Sequence, residues 1–157
     1  MSQYGDKAYE LFMQGHNCAQ AVAGAFAAEM GLPQEKVMQM AVGFGGGFGR
    51  MREVCGAFSG LTLALGTIYG SADPAQKTAL YAAVQQLGAE FRRQNGADSL
   101  VCRVLLGLEK PEGSPEASPR TAEYYKKRPC QELCRLAADL LADYIAEHPA
   151  PQKEAAK

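Results

Sequence analysis

The sequence predicts an all-α protein, a single-domain bundle of about six helices, and three observations carry this prediction. Apolar residues recur at helical spacing in several segments, Gly and Pro separate those segments, and no run alternates β-branched with polar residues as a strand would. The chain has 157 residues, a length that suits one compact domain. Hydrophobic residues make up 47% of it and charged residues 21%, which excludes disordered and collagen-like chains.

The first half predicts three helices and one Gly-rich loop. An apolar stripe from Ala8 to Phe26 predicts a helix of about 20 residues that ends near Gly31. Pro33 opens a second, shorter helix, and a central helix runs from near Glu53 to about Gly70. Residues 43–50 hold five glycines and one arginine, so we expect a loop immediately before the central helix.

The second half begins at Asp73-Pro74, an N-cap followed by Pro at the first helical position. A long helix then ends at Asn95-Gly96, and a short helix follows it and carries Cys102. Residues 109–119 form a polar, Pro-rich loop, and the last helix begins near Pro129. We therefore expect a helical domain over residues 1–148 and a flexible C-terminal tail over 149–157.

Charge and hydropathy limit the classes of partner. The chain has 16 Lys and Arg against 17 Asp and Glu, a net charge of −1, which argues against a nucleic-acid partner. Its N-terminus lacks the basic and apolar regions of a secretory signal. The uncharged run over residues 54–72 is interrupted by Gly, Ser and Thr, so we interpret it as a core helix rather than a membrane span. We expect a soluble cytoplasmic protein, in which thiols stay reduced.

Five cysteines carry the functional prediction: Cys18, Cys55, Cys102, Cys130 and Cys134. Each could be a small buried hydrophobe, but the first four lie on four different predicted helices whose apolar faces share one core. Four converging thiols match the ligand count of an iron–sulfur cluster or of tetrahedral zinc. No Cys-x-x-Cys pair occurs, and ligands separated by whole helices favour a cluster held by packing.

The surroundings of Cys55 point to an anionic sulfur. Gly45, Gly46 and Gly47 offer open backbone upstream, and Arg50 and Arg52 add positive charge. A helix N-terminus at the thiol acts in the same direction, whether the sulfur is a metal ligand or a reactive thiolate. Tight turning without ligand contact is an equally simple explanation of the glycines.

The ordered pattern resembles a known family. The residues that carry the resemblance are Asn17-Cys18-Ala19-Gln20, the Gly-rich stretch ending at Arg50, Cys55-Gly56-Ala57-x-x-Gly60, Cys102-Arg103 and Cys130. They resemble the redox-active family named for its Cys, Cys-Gly-Ala-x-x-Gly, Cys, Cys pattern (C_GCAxxG_C_C), and part of split-Soret cytochrome c is similar to that family. The resemblance implies a small helical redox protein with Cys18, Cys55, Cys102 and Cys130 as the pattern cysteines.

Two departures qualify that resemblance. Cys134 lies outside the pattern, one helical turn after Cys130, where it could substitute as a ligand or act as a resolving thiol. The chain has no Cys-x-x-Cys-His sequence, so the covalent haem of the cytochrome is not expected.

Three functions follow as expectations. The favoured one is an electron carrier that holds a [2Fe-2S] or [4Fe-4S] cluster on Cys18, Cys55, Cys102 and Cys130 and serves an oxidoreductase or another redox protein. The alternatives are a metal-free thiol–disulfide protein with Cys55 as reactive thiol and a structural zinc module. The segment from Tyr124 to Arg128 is a solvated face or a docking site for an acidic redox partner. A homodimer is plausible because Gly-rich helix faces permit close contact and the cytochrome is dimeric.

Overall fold

The computed structural model describes residues 1–110 and 113–151, and their regular structure is helical. Six helices have eight residues or more, which confirms the predicted all-α bundle of about six. The helices are α1 (Gln3–Met13), α2 (Cys18–Ala25), α3 (Ala27–Met30), α4 (Gln34–Ala41), α5 (Gly45–Phe48), α6 (Gly56–Tyr69), α7 (Lys77–Gln94), α8 (Cys102–Leu105), α9 (Ala122–Lys127) and α10 (Cys130–Glu147).

Helix α6 lies at the centre of the bundle, packed against α2, α7 and α10. Its buried residues cover slightly more than half of the helix and its other residues are half-buried, which explains the uncharged run in the sequence and confirms the core-helix interpretation. Within the described part of the chain, no helix is long and apolar enough to cross a membrane. Helix α1 packs against α2 and α10, so the last long helix closes the bundle against the first.

The prediction of one continuous first helix is wrong, because the structure divides that segment into α1, α2 and the short α3, and the larger break lies between α1 and α2. Gly15 has a φ of +103°, which no helix accommodates. Asn17 then starts α2 through a capping box: its side chain accepts from the Gln20 amide at 3.0 Å, and the Gln20 side chain accepts from the Asn17 amide at 3.1 Å. The apolar periodicity runs on through this break, and so it hid the new helix start.

The second half follows the predicted order with one addition. Asp73 caps a short 3₁₀ turn that leads into α7, and α10 begins directly after Pro129, both as expected. Helix α9 lies where the sequence predicted only a polar patch. Residues 149–151 have no regular structure, and most of the predicted tail, residues 152–157, lies outside the described residues, as do positions 111–112 of the predicted loop.

Candidate metal centre

The four pattern cysteines all stand where a helix begins. Cys18, Cys102 and Cys130 are the first residues of α2, α8 and α10, and Cys55 immediately precedes α6. Backbone N–H groups at a helix start have no partner within the helix and favour negative charge nearby. The four thiols therefore all lie at the N-terminal end of a helix, where the helix dipole is positive.

The four thiols lie in the wall of one cavity of about 440 Å³. Cys18, Cys55, Cys102 and Cys130 all line it, and Cys134 is not among the residues that do. Of the supporting residues expected from the sequence, Gly45, Gly46, Arg50 and Gly56 line it as well. Among the described residues, no three His, Cys, Asp or Glu side chains stand together as a metal site. The four thiols therefore share one cavity without forming a closed set of ligands.

Main-chain pairing sets the positions of two of the thiols. The Cys55 amide donates to the Leu100 carbonyl at 2.7 Å, and the Cys102 amide donates to the Glu53 carbonyl at 2.6 Å. Between these bonds, Val54 and Val101 form an isolated antiparallel bridge. The pairing places Cys55 opposite Leu100 and Cys102 opposite Glu53, so it holds the two cysteines diagonally across the ladder although 46 residues separate them.

The Gly-rich segment is a tight left-handed turn that packs against the cysteines. Gly46 and Gly47 have φ values of +64° and +71°, and a Cβ on Gly47 would lie 2.7 Å from Cβ of Cys102. A Cβ on Gly56 would lie 3.1 Å from Cβ of Cys18. The glycines therefore permit tight turns and close packing against the cysteines, and some of them also line the cavity.

The turn also carries the two arginines in the left-handed region. Arg50 and Arg52 have φ values of +66° and +61°, which are uncommon for residues with a side chain and cluster at functional sites. Arg52 is 4% exposed, and its Nη1 lies 3.8 Å from Sγ of Cys102. Arg50 donates to the Glu116 carbonyl and to Oγ of Ser118 at 3.2 Å, so it holds the segment that forms one wall of the cavity.

Comparison with protein families decides the classification. The family model described as "Putative redox-active protein (C_GCAxxG_C_C)" matches residues 16–144. The chain belongs to the C_GCAxxG_C_C family. A search of curated proteins and a search of solved structures each found no match. The family resemblance stated from the sequence is confirmed over most of the chain, and it includes all four cysteines of the pattern.

In this C_GCAxxG_C_C protein the cavity thiols are buried, and burial opposes their ionisation. The pKa of Cys55 rises to about 12 because it is buried, although the amides of Ala57 and Phe58 favour the thiolate. Burial of the free thiol thus acts against the acidic, reactive Cys55 that the sequence offered as an alternative. Burial likewise raises the pKa of Cys102, although Arg52 lowers it.

Cys18, Cys130 and Cys134 form a contiguous group of thiols. The pKa of Cys18 is well above its usual value: its hydrogen bond with Cys130 lowers it, but the hydrogen bond with Cys134 and burial raise it further. The pKa of Cys130 is also raised, first by the hydrogen bond with Cys18 and then by burial. Cys18 is the least buried of the five cysteines and lies between the other two.

Two further arginines at the cavity were missed by sequence reasoning. Arg120 stacks 4.3 Å from the Phe12 ring centroid and donates to the carbonyls of Phe12 and His16 at 3.2 and 3.0 Å. Arg128 stacks 4.7 Å from the Tyr124 ring centroid and lowers the pKa of Cys130. Tyr124 and Arg128 both line the cavity, so the patch predicted to be a solvated face is partly a wall of the site. The position of Arg128 two residues before Cys130 was the available signal.

Among the described residues that line the cavity, the charged side chains are all positive: Arg50, Arg52, Arg120 and Arg128 line it, and none of these described residues is Asp or Glu. Together with the four helix beginnings, these cations make the cavity suited to a negatively charged occupant.

Proposed function

We propose that this chain is a redox protein that binds one iron–sulfur cluster through Cys18, Cys55, Cys102 and Cys130 and exchanges electrons with an oxidoreductase partner. The observation that carries the proposal is that four thiols from four separate helix beginnings line one cavity. Cysteine thiolates in sets of four are the usual ligands of [2Fe-2S] and [4Fe-4S] clusters.

The size of the cavity favours a cluster over a single zinc ion. Around zinc, four sulfurs lie at about 2.3 Å from one point, which leaves no space between them. Here the four thiols line a cavity of about 440 Å³, in which Cys18 and Cys130 are close enough to form a hydrogen bond. Gly45, Gly46 and Gly56 line the cavity as well, and their lack of a Cβ lets Asn17, Arg50 and Cys18 pack directly against the backbone there.

The electrostatics support the same occupant. A cluster with four thiolates carries net negative charge, and burial of such a charge is costly unless it is compensated. Arg52 faces Cys102, Arg128 lies near Cys130, and the amides of Ala57 and Phe58 point at Cys55. When bound, the cluster would supply one-electron exchange, while the chain holds it, limits the access of water and compensates its charge.

The decisive test is metal and sulfide analysis of protein purified without oxygen, together with its visible absorption spectrum. We expect a brown protein with iron and acid-labile sulfide, and a loss of both in Cys18→Ala, Cys55→Ala, Cys102→Ala and Cys130→Ala. Cys134→Ala is the matched control, since Cys134 is buried outside the cavity wall, and it should keep its cluster.

Other outcomes of this experiment would replace the proposal. Colourless protein without iron or sulfide after anaerobic reconstitution would rule out the cluster. Stoichiometric zinc in that protein would favour the structural zinc module, and a reversible dithiol without metal would favour thiol–disulfide chemistry.

A further inference from the structure

Residues 113–120 cross one side of the cavity as a strap without regular structure. Pro115, Ala117 and Ser118 of this strap line the cavity, and Pro115 and Ala117 are at the same time exposed to solvent. A segment with the cavity on one side and solvent on the other acts as a cover. The strap therefore separates part of the cavity from the solution.

Arg50 fastens the middle of the strap to the Gly-rich turn. Its Nη1 donates to the Glu116 carbonyl and to Oγ of Ser118, the latter at 3.2 Å. Arg50 has a φ of +66°, a left-handed conformation that glycine would adopt without strain. An arginine at such a position points to a role for its side chain rather than for the turn itself.

Arg120 fastens the end of the strap to the corner between α1 and α2. It donates to the carbonyls of Phe12 and His16 at 3.2 and 3.0 Å, and its guanidinium stacks on the Phe12 ring. Cys18 follows His16 by two residues, whereas the Gly-rich turn at the other anchor packs against Cys102. The strap is thus attached to two walls of the cavity that carry different thiols.

We propose that residues 113–120 are a gate to the cavity thiols and that Arg50 is its latch. When the bonds from Arg50 to Glu116 and Ser118 break, residues 113–118 move away from the cavity, while Arg120 keeps the end of the strap on the bundle. The open strap admits an occupant, and the closed strap shields it from solution. This inference goes beyond the function proposed above, because it holds for whichever ion or cluster the thiols bind.

The test measures how fast each cysteine of the full-length, metal-free protein reacts with iodoacetamide, by mass spectrometry of its peptides after timed quenching. Arg50→Gly removes the latch and keeps the turn, since glycine accepts the left-handed backbone. We expect the cavity thiols to react roughly tenfold faster in this variant, because two hydrogen bonds that hold the strap closed are lost. Loss of the positive charge alone would disfavour the thiolates and slow the reaction, so a faster reaction reports access.

Ser118→Ala tests the same contact without touching the Gly-rich turn, and it does so even if Arg50→Gly fails to fold. It removes one of the two bonds, so the cavity thiols should react roughly threefold faster than in the wild type. Wild-type rates in this variant and in Arg50→Gly would overturn the gate.

Asp98→Gly is the matched control. Asp98 also has a positive φ, +48°, and its carboxylate pairs with Arg92 at 3.1 Å, and neither residue lines the cavity. The cavity thiols of this variant should react at the wild-type rate, and the same acceleration as in Arg50→Gly would contradict the latch. Cys134 is 0% exposed outside the cavity wall and reports opening of the whole bundle. It should react slowly in every variant, and a rate that rises in step with those of the cavity thiols would also overturn the gate.

Discussion

At the scale of single residues, Asn17 connects the start of a helix to the Gly-rich turn. Besides capping α2, its Nδ2 donates to the Val42 carbonyl at 2.9 Å. A Cβ on Gly45 would lie 2.3 Å from the Asn17 side chain, so the turn packs directly on it. One amide side chain therefore orients both Cys18, the next residue, and one wall of the cavity.

We predict that Asn17→Ala lowers the free energy of unfolding by about 1–2 kcal/mol, because the cap and its reciprocal bond with Gln20 are lost. The same substitution should reduce the metal content, since it frees the start of α2 at Cys18. Urea denaturation and metal analysis measure the two effects. Ser2→Ala is the matched control: Ser2 caps α1 by accepting from the Gly5 amide at 3.0 Å, so its loss should reduce stability and leave metal content unchanged. An Asn17→Ala protein as stable as the wild type would contradict this account.

The sequence contains the signals for some of these residues and not for others. The cysteines and the Asn17-x-x-Gln20 capping box are local signals in the chain, although the continuous apolar stripe hid the cap and placed Cys18 inside a longer helix. Arg120 reaches the site because its guanidinium stacks on Phe12, which is 108 residues away. That contact depends on tertiary packing, so no local pattern predicts it.

At the scale of the elements, α2 and α6 approach so closely that their backbones nearly touch. A Cβ on Gly60 would lie 2.6 Å from the carbonyl oxygen of Ala19. Cys18 and Cys55 begin these two helices, so the spacing between the helices sets the spacing between those thiols. Gly60 therefore influences the distance between Cys18 and Cys55 although it does not line the cavity.

Two glycines of α6 should respond to alanine in opposite directions. Gly60→Ala should lower the free energy of unfolding by about 1–3 kcal/mol, because its Cβ forces α2 and α6 apart. Gly66→Ala should raise it by about 0.5–1 kcal/mol, since its nearest neighbour would be 3.8 Å away and alanine favours the helix. Denaturant unfolding of the two variants beside the wild type measures both effects, and equal shifts of the same sign would refute the close-approach argument.

The same scale explains what the sequence could predict of the fold. Long helices such as α7 and α10 have apolar faces and follow clear start signals, Asp73-Pro74 and Pro129, so their existence and approximate bounds could be predicted from the sequence. The break at Gly15 could not be seen in the sequence because the apolar period continues across it, and α9 could not be seen because six residues are too few to show a helical period. The convergence of four helix beginnings follows from the packing of the whole bundle and lies beyond any one segment.

At the scale of the whole molecule, the buried thiols make stability depend on pH. An unfolded Cys has a pKa of about 8.5, and burial raises that of Cys55 to about 12 in the folded protein. Between these values the unfolded chain releases a proton that the folded metal-free protein keeps. The stabilisation present below about pH 8.5 is therefore lost as pH rises toward 12.

We predict that the free energy of unfolding of the metal-free protein falls as pH rises from about 9 to 10, with Cys55 contributing up to about 1.4 kcal/mol per pH unit. Denaturant unfolding under a thiol-free reductant, at several pH values, measures this slope. Cys55→Ala should show a shallower slope than the wild type. Identical slopes would mean that Cys55 ionises equally in the folded and unfolded states.

The ladder between residues 52–55 and 100–103 divides the cavity into two unlike halves. Main-chain hydrogen bonds hold Cys55 and Cys102, and these bonds do not depend on which side chains the neighbouring helices carry. Cys18 and Cys130 are held by side-chain packing among α1, α2 and α10. Substitutions that shift α2 or α10 would therefore move Cys18 and Cys130, while Cys55 and Cys102 stay in place. The distance between the two pairs of sulfurs can thus change during evolution without loss of the main-chain bonds.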